Sequence, residues 1–147
     1  MKTPTSFSAG DQVLVLGLGR SGEAAARLLL ARGARVTVVD SQDTPALTLR
    51  AGQLRQAGAS VITGTTVPPP IAFALAVTSP GVPVDAPLMI AVRDRGVPVI
   101  PELELGWECC DGGILAITGS SGKSTLAKLC HAALQACGRQ PAIGSRL

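Results

Sequence analysis

The chain has 147 residues, 46% of them apolar and only 2% aromatic, with no Tyr. That length holds one full domain, or one domain and a piece of a second, with a core built from Val, Leu, Ile and Ala. The formal charge of +3 is scattered without a basic run, and base-stacking aromatics are missing, so a nucleic-acid partner is not expected. No apolar run approaches the roughly 18 residues of a membrane span. The first ten residues lack the apolar stretch of a signal peptide. A soluble, cytoplasmic protein without membrane partners is expected.

Short apolar runs alternate with helical periods along the chain, the pattern of a parallel sheet covered by helices. Val13 to Leu16 reads as a strand buried on both faces. Gly22 to Arg32 reads as an amphipathic helix stopped by Gly33. Val36 to Val39 is a second strand, closing on Asp40. Asp43-Thr44-Pro45 offers a capping residue and a first-turn proline for a weaker helix to Ala57, and Ser60 to Thr63 is a third strand. After Pro68 to Pro70, Ile71 to Val77 reads as a fourth strand ending in Thr78-Ser79-Pro80-Gly81. A helix over Leu88 to Arg95, a strand over Val97 to Ile100 and a helix over Pro101 to Cys110 complete a five-stranded α/β unit.

Asp111-Gly112-Gly113 is the best boundary, giving domains of 1–112 and 113–147. Beyond it Ile114 to Ile117 reads as a strand, Thr118 to Lys123 as a loop, and Ser124 to Cys137 as a helix. Leu126, Leu129, Cys130, Ala133, Leu134 and Cys137 form one apolar stripe on that helix. Pro141 to Gly144 offers the start of another strand. Thirty-five residues cannot cover such a stripe alone, so this segment reads as the opening of a second domain. The expected fold is therefore a parallel-sheet α/β domain followed by the start of a second α/β domain, which the glycine loops and the resemblance given below make a Rossmann-like domain followed by the start of a P-loop domain. The four cysteines and single His131 show no zinc-ligand spacing and read as reduced thiols and a surface imidazole.

Three motifs carry chemistry. Gly17-Leu18-Gly19-Arg20-Ser21-Gly22 is a G-x-G-x-x-G between strand and helix. The first glycine serves a tight turn, the second lets backbone approach a diphosphate, and the third lets helix pack on strand. Asp40 stands where a carboxylate can accept ribose or base hydrogen bonds. At face value this favours NAD, and the bland alternative is an ordinary βα turn. Gly119-Ser120-Ser121-Gly122-Lys123-Ser124-Thr125 also joins a strand pattern to a helix. Backbone N–H groups of such a loop cradle phosphates, Lys123 would neutralise their oxygens, and the Ser124 hydroxyl would hold Mg²⁺. The strict G-x-x-x-x-G-K-[ST] spacing needs glycine at 117, where Ile117 stands. Thr78-Ser79-Pro80-Gly81 ends a strand, so it faces the ligand crevice of an open sheet or is simply a Pro-Gly turn.

The run from Ala116 to Thr125 resembles the ATP loop of the Mur ligases, and the two upstream motifs resemble the branch that adds D-glutamate. The likeness runs from about Asp11 to Gly144. It implies an ATP-dependent ligase of peptidoglycan synthesis, hence of cell-wall biogenesis, cell shape and cell division. Its substrates are then UDP-N-acetylmuramoyl-L-alanine, D-glutamate and ATP. The γ-phosphate passes to the substrate carboxylate, and the amine of D-glutamate displaces it to give an amide, ADP and phosphate. The first domain of such enzymes is Rossmann-like but holds the UDP substrate instead of a dinucleotide.

By resemblance Gly17, Gly19, Arg20 and Ser21 lie near the diphosphate, Asp40, Ser41 and Gln42 near the uracil, and Ser79, Pro80 and Gly81 along the same substrate. Gly119 to Thr125 serve ATP, with Lys123 catalytic and Ser124 on Mg²⁺. The chain departs from the family at Ser121, where Asn is usual, and at Ser145-Arg146-Leu147, where a Gly-Asn segment is usual. The expectation is an incomplete portion, not competent alone. The rivals are an NAD-dependent oxidoreductase domain and a non-catalytic UDP-sugar or nucleotide-binding module.

Overall fold

A computed structural model describes residues 7–110 and 112–144. The chain divides into two compact units, Met1–Cys110 and Asp111–Leu147. Of the sequence features, Asp111 and the Ser145-Arg146-Leu147 terminus lie outside the described residues, as does the start of the chain.

The first unit runs β1 (Gln12–Leu16), α1 (Arg20–Ala31), β2 (Arg35–Val39), α2 (Pro45–Gln56), β3 (Ser60–Ile62), β4 (Leu75–Thr78), α3 (Pro87–Asp94), β5 (Val99–Pro101) and α4 (Glu102–Glu108). All five strands are parallel, in the order β3-β2-β1-β4-β5. This is the α/β parallel sheet expected from the alternating pattern. Successive side chains of a strand point to opposite faces, and both faces here are buried. Val13, Val15, Val36, Val38, Leu75 and Val77 meet Ala26 and Leu29 of α1, Leu54 of α2 and Leu105 of α4. Leu14, Leu16, Val39 and Ala76 meet Leu88, Met89 and Val92 of α3 on the other face. The apolar runs are thus continuous because neither alternate position sees water.

Local chemistry sets the helix ends. Thr44 caps α2, its Oγ1 accepting from the Leu47 N–H at 3.4 Å, and Pro45 takes the first turn. Gly33, just past the end of α1, has φ +80°.

Strand boundaries moved where proline and pairing overrule hydropathy. The fourth strand begins at Leu75, opposite Val13, and leaves Ile71 and Ala72 exposed outside the ladder. The fifth is Val99–Pro101, two residues later than its valines suggest at the start, because pairing with Ala76 begins at Val99. Pro98 has no N–H to donate and serves only through its carbonyl, which accepts from Ala76.

In the second unit the helix is α5 (Lys123–Ala136). Neither Ile114 to Ile117 nor Pro141 to Gly144 forms a strand, contrary to the sequence reading. A strand exists only through hydrogen bonds to a neighbour, and the described residues of this unit contain no strand to pair with. No residue of α5 is buried, and Leu126, Leu129 and Leu134 are exposed.

Candidate functional site

Chain order reverses direction in the sheet at β1, which has β2 on one side and β4 on the other. Crevices outside the carboxyl ends of strands at such a reversal are where open α/β sheets bind ligands. The turn from β1 to α1 occupies that place, with the segments after β2 and β4 beside it.

Each backbone group of this turn up to the Leu18 carbonyl is taken by the protein itself. Gly17 N–H donates to Val39 O at 2.8 Å, and Gly17 O accepts from the Ser79 hydroxyl at 3.3 Å. Leu18 N–H donates to Asp40 Oδ2 at 2.6 Å, and Leu18 O accepts from Arg50 Nη1 at 3.4 Å. From the next residue the situation inverts. The N–H groups of Gly19, Arg20, Ser21 and Gly22 donate to no other described residue, and no side chain caps α1. These are the free donors that every helix start leaves over. Together with the helix dipole they favour an anion.

The three glycines differ in what the structure asks of them. Gly17 has φ +90°, and a Cβ there would lie 2.9 Å from Val82 Cγ2. A Cβ on Gly22 would lie 1.9 Å from Gly17 O and 2.8 Å from Ser79 Oγ. A Cβ on Gly19 would meet nothing within 4 Å, and its φ of −70° suits any residue. The protein's own packing explains the first and third glycines and leaves the second open toward solvent.

Asp40 is half-buried and does not present a free carboxylate: Oδ2 accepts from Leu18 N–H and Oδ1 from Gln42 N–H at 2.8 Å. Ser41 and Gln42 are exposed in the turn that follows. Ser79 is buried under the glycine turn, whereas Pro80 and Gly81 are exposed beside it. Arg20 is exposed on the first turn of α1 and Ser21 is half-buried. The fold therefore gathers Gly17 to Ser21, Asp40 to Gln42 and Ser79 to Gly81 at one edge of the sheet. Sequence reasoning missed Arg50, whose signal was its place on α2 between the buried Leu47 and Leu54.

In the second unit Gly119, Ser120, Ser121, Gly122, Lys123, Ser124 and Thr125 are all exposed. Gly122 is the N-cap of α5 in the left-handed conformation, without a side-chain cap. Lys123 Nζ donates to Gly119 O at 2.5 Å, so the ammonium folds back over the loop. The donor set suits a triphosphate: uncapped N–H groups, a lysine over them, and two hydroxyls in the first helical turn. Among the described residues, no group of three or more His, Cys, Asp or Glu is arranged to hold a metal ion, and no helix is long and apolar enough to cross a membrane.

Comparison with known proteins adds the family. Residues 11–101 match the family described as Mur ligase MurD-like, N-terminal domain. The UDP-N-acetylmuramoylalanine–D-glutamate ligase of Frankia casuarinae is 50% identical over 138 residues, covering 92% of this chain and 29% of that protein. The ligase of the same name from Thermobifida fusca is 44% identical over 133 residues, covering 89% and 29%. That of Geobacillus kaustophilus is 37% identical over 148 residues, covering 98% and 32%. This chain thus spans about a third or less of the curated relatives it matches. Among solved structures, a murein peptide ligase from Psychrobacter arcticus has the same fold, with a TM-score of 0.61 and 23% identity over 88% of this chain and 27% of that one.

Proposed function

This chain belongs to the MurD-like Mur ligase family through its N-terminal domain, and from that membership we propose that it forms the substrate-holding part of an ADP-forming ligase. The whole enzyme would add D-glutamate to UDP-N-acetylmuramoyl-L-alanine at the expense of ATP in the cytoplasm. In this reading residues 1–112 hold the UDP substrate, and residues 113–147 open the ATP-binding domain.

The observation that carries the reading is the run of four N–H groups from Gly19 to Gly22 that donate to no described residue, with open space at Gly19 at the carboxyl end of β1. They would receive the diphosphate, with the Arg20 guanidinium adding charge. Asp40, Ser41 and Gln42 would meet the uracil, and Pro80 and Gly81 the sugar side. Ser79 and Asp40 would act chiefly by shaping the turn, because their side chains are already bonded to it.

ATP with Mg²⁺, when bound, supplies an activated phosphoryl group for the substrate carboxylate. The chain's own part would be electrostatic: Lys123 and the N–H groups after Gly119 offset triphosphate charge, and Ser124 offers a hydroxyl to the metal. Bringing two anionic substrates together demands such neutralisation. The NAD alternative is weaker because it gives no part to the lysine loop from Gly119 to Thr125. We propose further that this polypeptide alone binds and does not catalyse.

Calorimetric titration with UDP, NAD and ATP tests the reading. UDP and ATP are expected to bind, and NAD to bind more weakly than UDP. NAD as the tightest ligand would overturn it, as would ADP and amide formation by this chain alone for the last proposal.

A further inference from the structure

We infer that Arg50 is a positioning residue that holds the Leu18–Gly19 peptide so that the Gly19 N–H faces the diphosphate; this rests on the UDP-substrate reading above. Arg50 lies on α2, outside every motif, and is half-buried behind the glycine turn. Its Nη1 donates to Leu18 O at 3.4 Å, while its Nε lies 3.7 Å from Glu23 Oε2. Glu23 is itself held by Arg27 at 2.9 Å, so the guanidinium is tethered from a second side.

A trans peptide is planar, with its C=O and N–H on opposite edges. Drawing Leu18 O toward Arg50 therefore turns the Gly19 N–H away from α2. The preceding peptide is fixed independently, by Leu18 N–H on Asp40. The Leu18–Gly19 peptide has no such restraint of its own. Glycine on its carboxyl side leaves rotation inexpensive, and nothing crowds that position. A flip would present a carbonyl oxygen to an anion where a donor is needed. Glu23 offsets the charge of Arg50, so the arginine works by the direction it imposes on the peptide more than by its field.

The test uses the full chain, with UDP as ligand, calorimetry for affinity and the ¹⁵N-resolved amide signal of Gly19 for geometry. For the unaltered chain, UDP should shift the Gly19 amide strongly. Arg50→Met and Arg50→Gln are expected to bind UDP about tenfold more weakly, as for loss of one oriented donor to a charged group, with the UDP-induced Gly19 shift at least halved. Arg50→Lys should recover part of both. Arg35→Met, at the exposed start of β2 and so at the end of the strand away from the turn, should match the unaltered chain. A merely structural role for Arg50 would lower the melting temperature and leave the Gly19 shift at saturation intact. Should Arg50→Met fail to fold by circular dichroism, Arg50→Gln and Arg50→Lys decide. Affinity within twofold and an unchanged Gly19 shift overturn the inference alone. Failure of the unaltered chain to bind UDP removes the substrate reading and the inference with it.

Discussion

The backbone N–H of Leu18 donates to the carboxylate of Asp40 over 2.6 Å, fastening the turn after β1 to the end of β2. Leu18 is fully buried, so water does not offer its N–H a substitute partner. The same carboxylate also accepts from Gln42 N–H. Asp40 is thus part of the frame that shapes the turn, whatever it offers to a ligand.

Replacing Asp40 by Ala should therefore lower stability even without ligand. A buried donor left unsatisfied costs about 1–3 kcal/mol, and urea denaturation monitored by circular dichroism would read that loss. Asp40→Asn keeps one acceptor oxygen and should lose less. An Asp40→Ala chain as stable as the parent would show that the Leu18 contact contributes nothing.

Gly22 and Gly19 should respond oppositely to alanine. Within a helix Gly→Ala ordinarily gains up to about 1 kcal/mol. At Gly22 the new Cβ would sit 1.9 Å from a backbone oxygen, and overpacking of this kind costs about 1–3 kcal/mol or more. Gly19→Ala meets no atom and should melt within a few degrees of the parent, about 1 kcal/mol or less of change. Its methyl would instead intrude on the proposed diphosphate site, and UDP affinity should fall about tenfold, or ~1.4 kcal/mol. Thermal unfolding and calorimetry on both variants give the four numbers needed.

Lys123→Ala should weaken ATP binding by about tenfold or more, since a charge-assisted contact to phosphate is lost, and leave UDP binding unchanged. The side chain is exposed and, among the described residues, bonded only to Gly119 O, so the melting curve should not move. Equal losses for both nucleotides in calorimetry would contradict separate sites.

Amide hydrogen exchange should separate the two units. Elements with few buried apolar contacts open locally at low cost. The amides of α5, none of whose residues is buried, should exchange far faster than those of β1 and β2, whose strand residues are almost all buried. Mass spectrometry of peptic fragments would measure this. Comparable protection would mean that α5 is covered by something in solution.

Much of the first unit was legible in the chain itself. The uninterrupted apolar run at Val13 to Leu16 and the β-branched run at Val36 to Val39 are satisfied by burial on both faces, as in parallel strands under helices. The capping pair Thr44-Pro45 and the stop at Gly33 act through bonds within a few residues, so no distant contact can easily displace them. The glycine spacing of the first turn was likewise readable, because positive φ at Gly17 is a local requirement.

Tertiary structure decided what depends on partners far along the chain. Strand ends followed pairing: Val97 and Pro98 fall outside β5, and Ile114 to Ile117 form no strand without a neighbour among the described residues. The hydrogen-bond partners of Asp40, Ser79 and Arg50 were set the same way. Composition places a carboxylate, a hydroxyl and a guanidinium on three separate segments, but only folding sets all three against the backbone of Gly17 and Leu18. Hydropathy records how strongly a residue avoids water; which hydrogen-bond partner it finds is a matter of geometry between segments, and that geometry exists only once the sheet has closed.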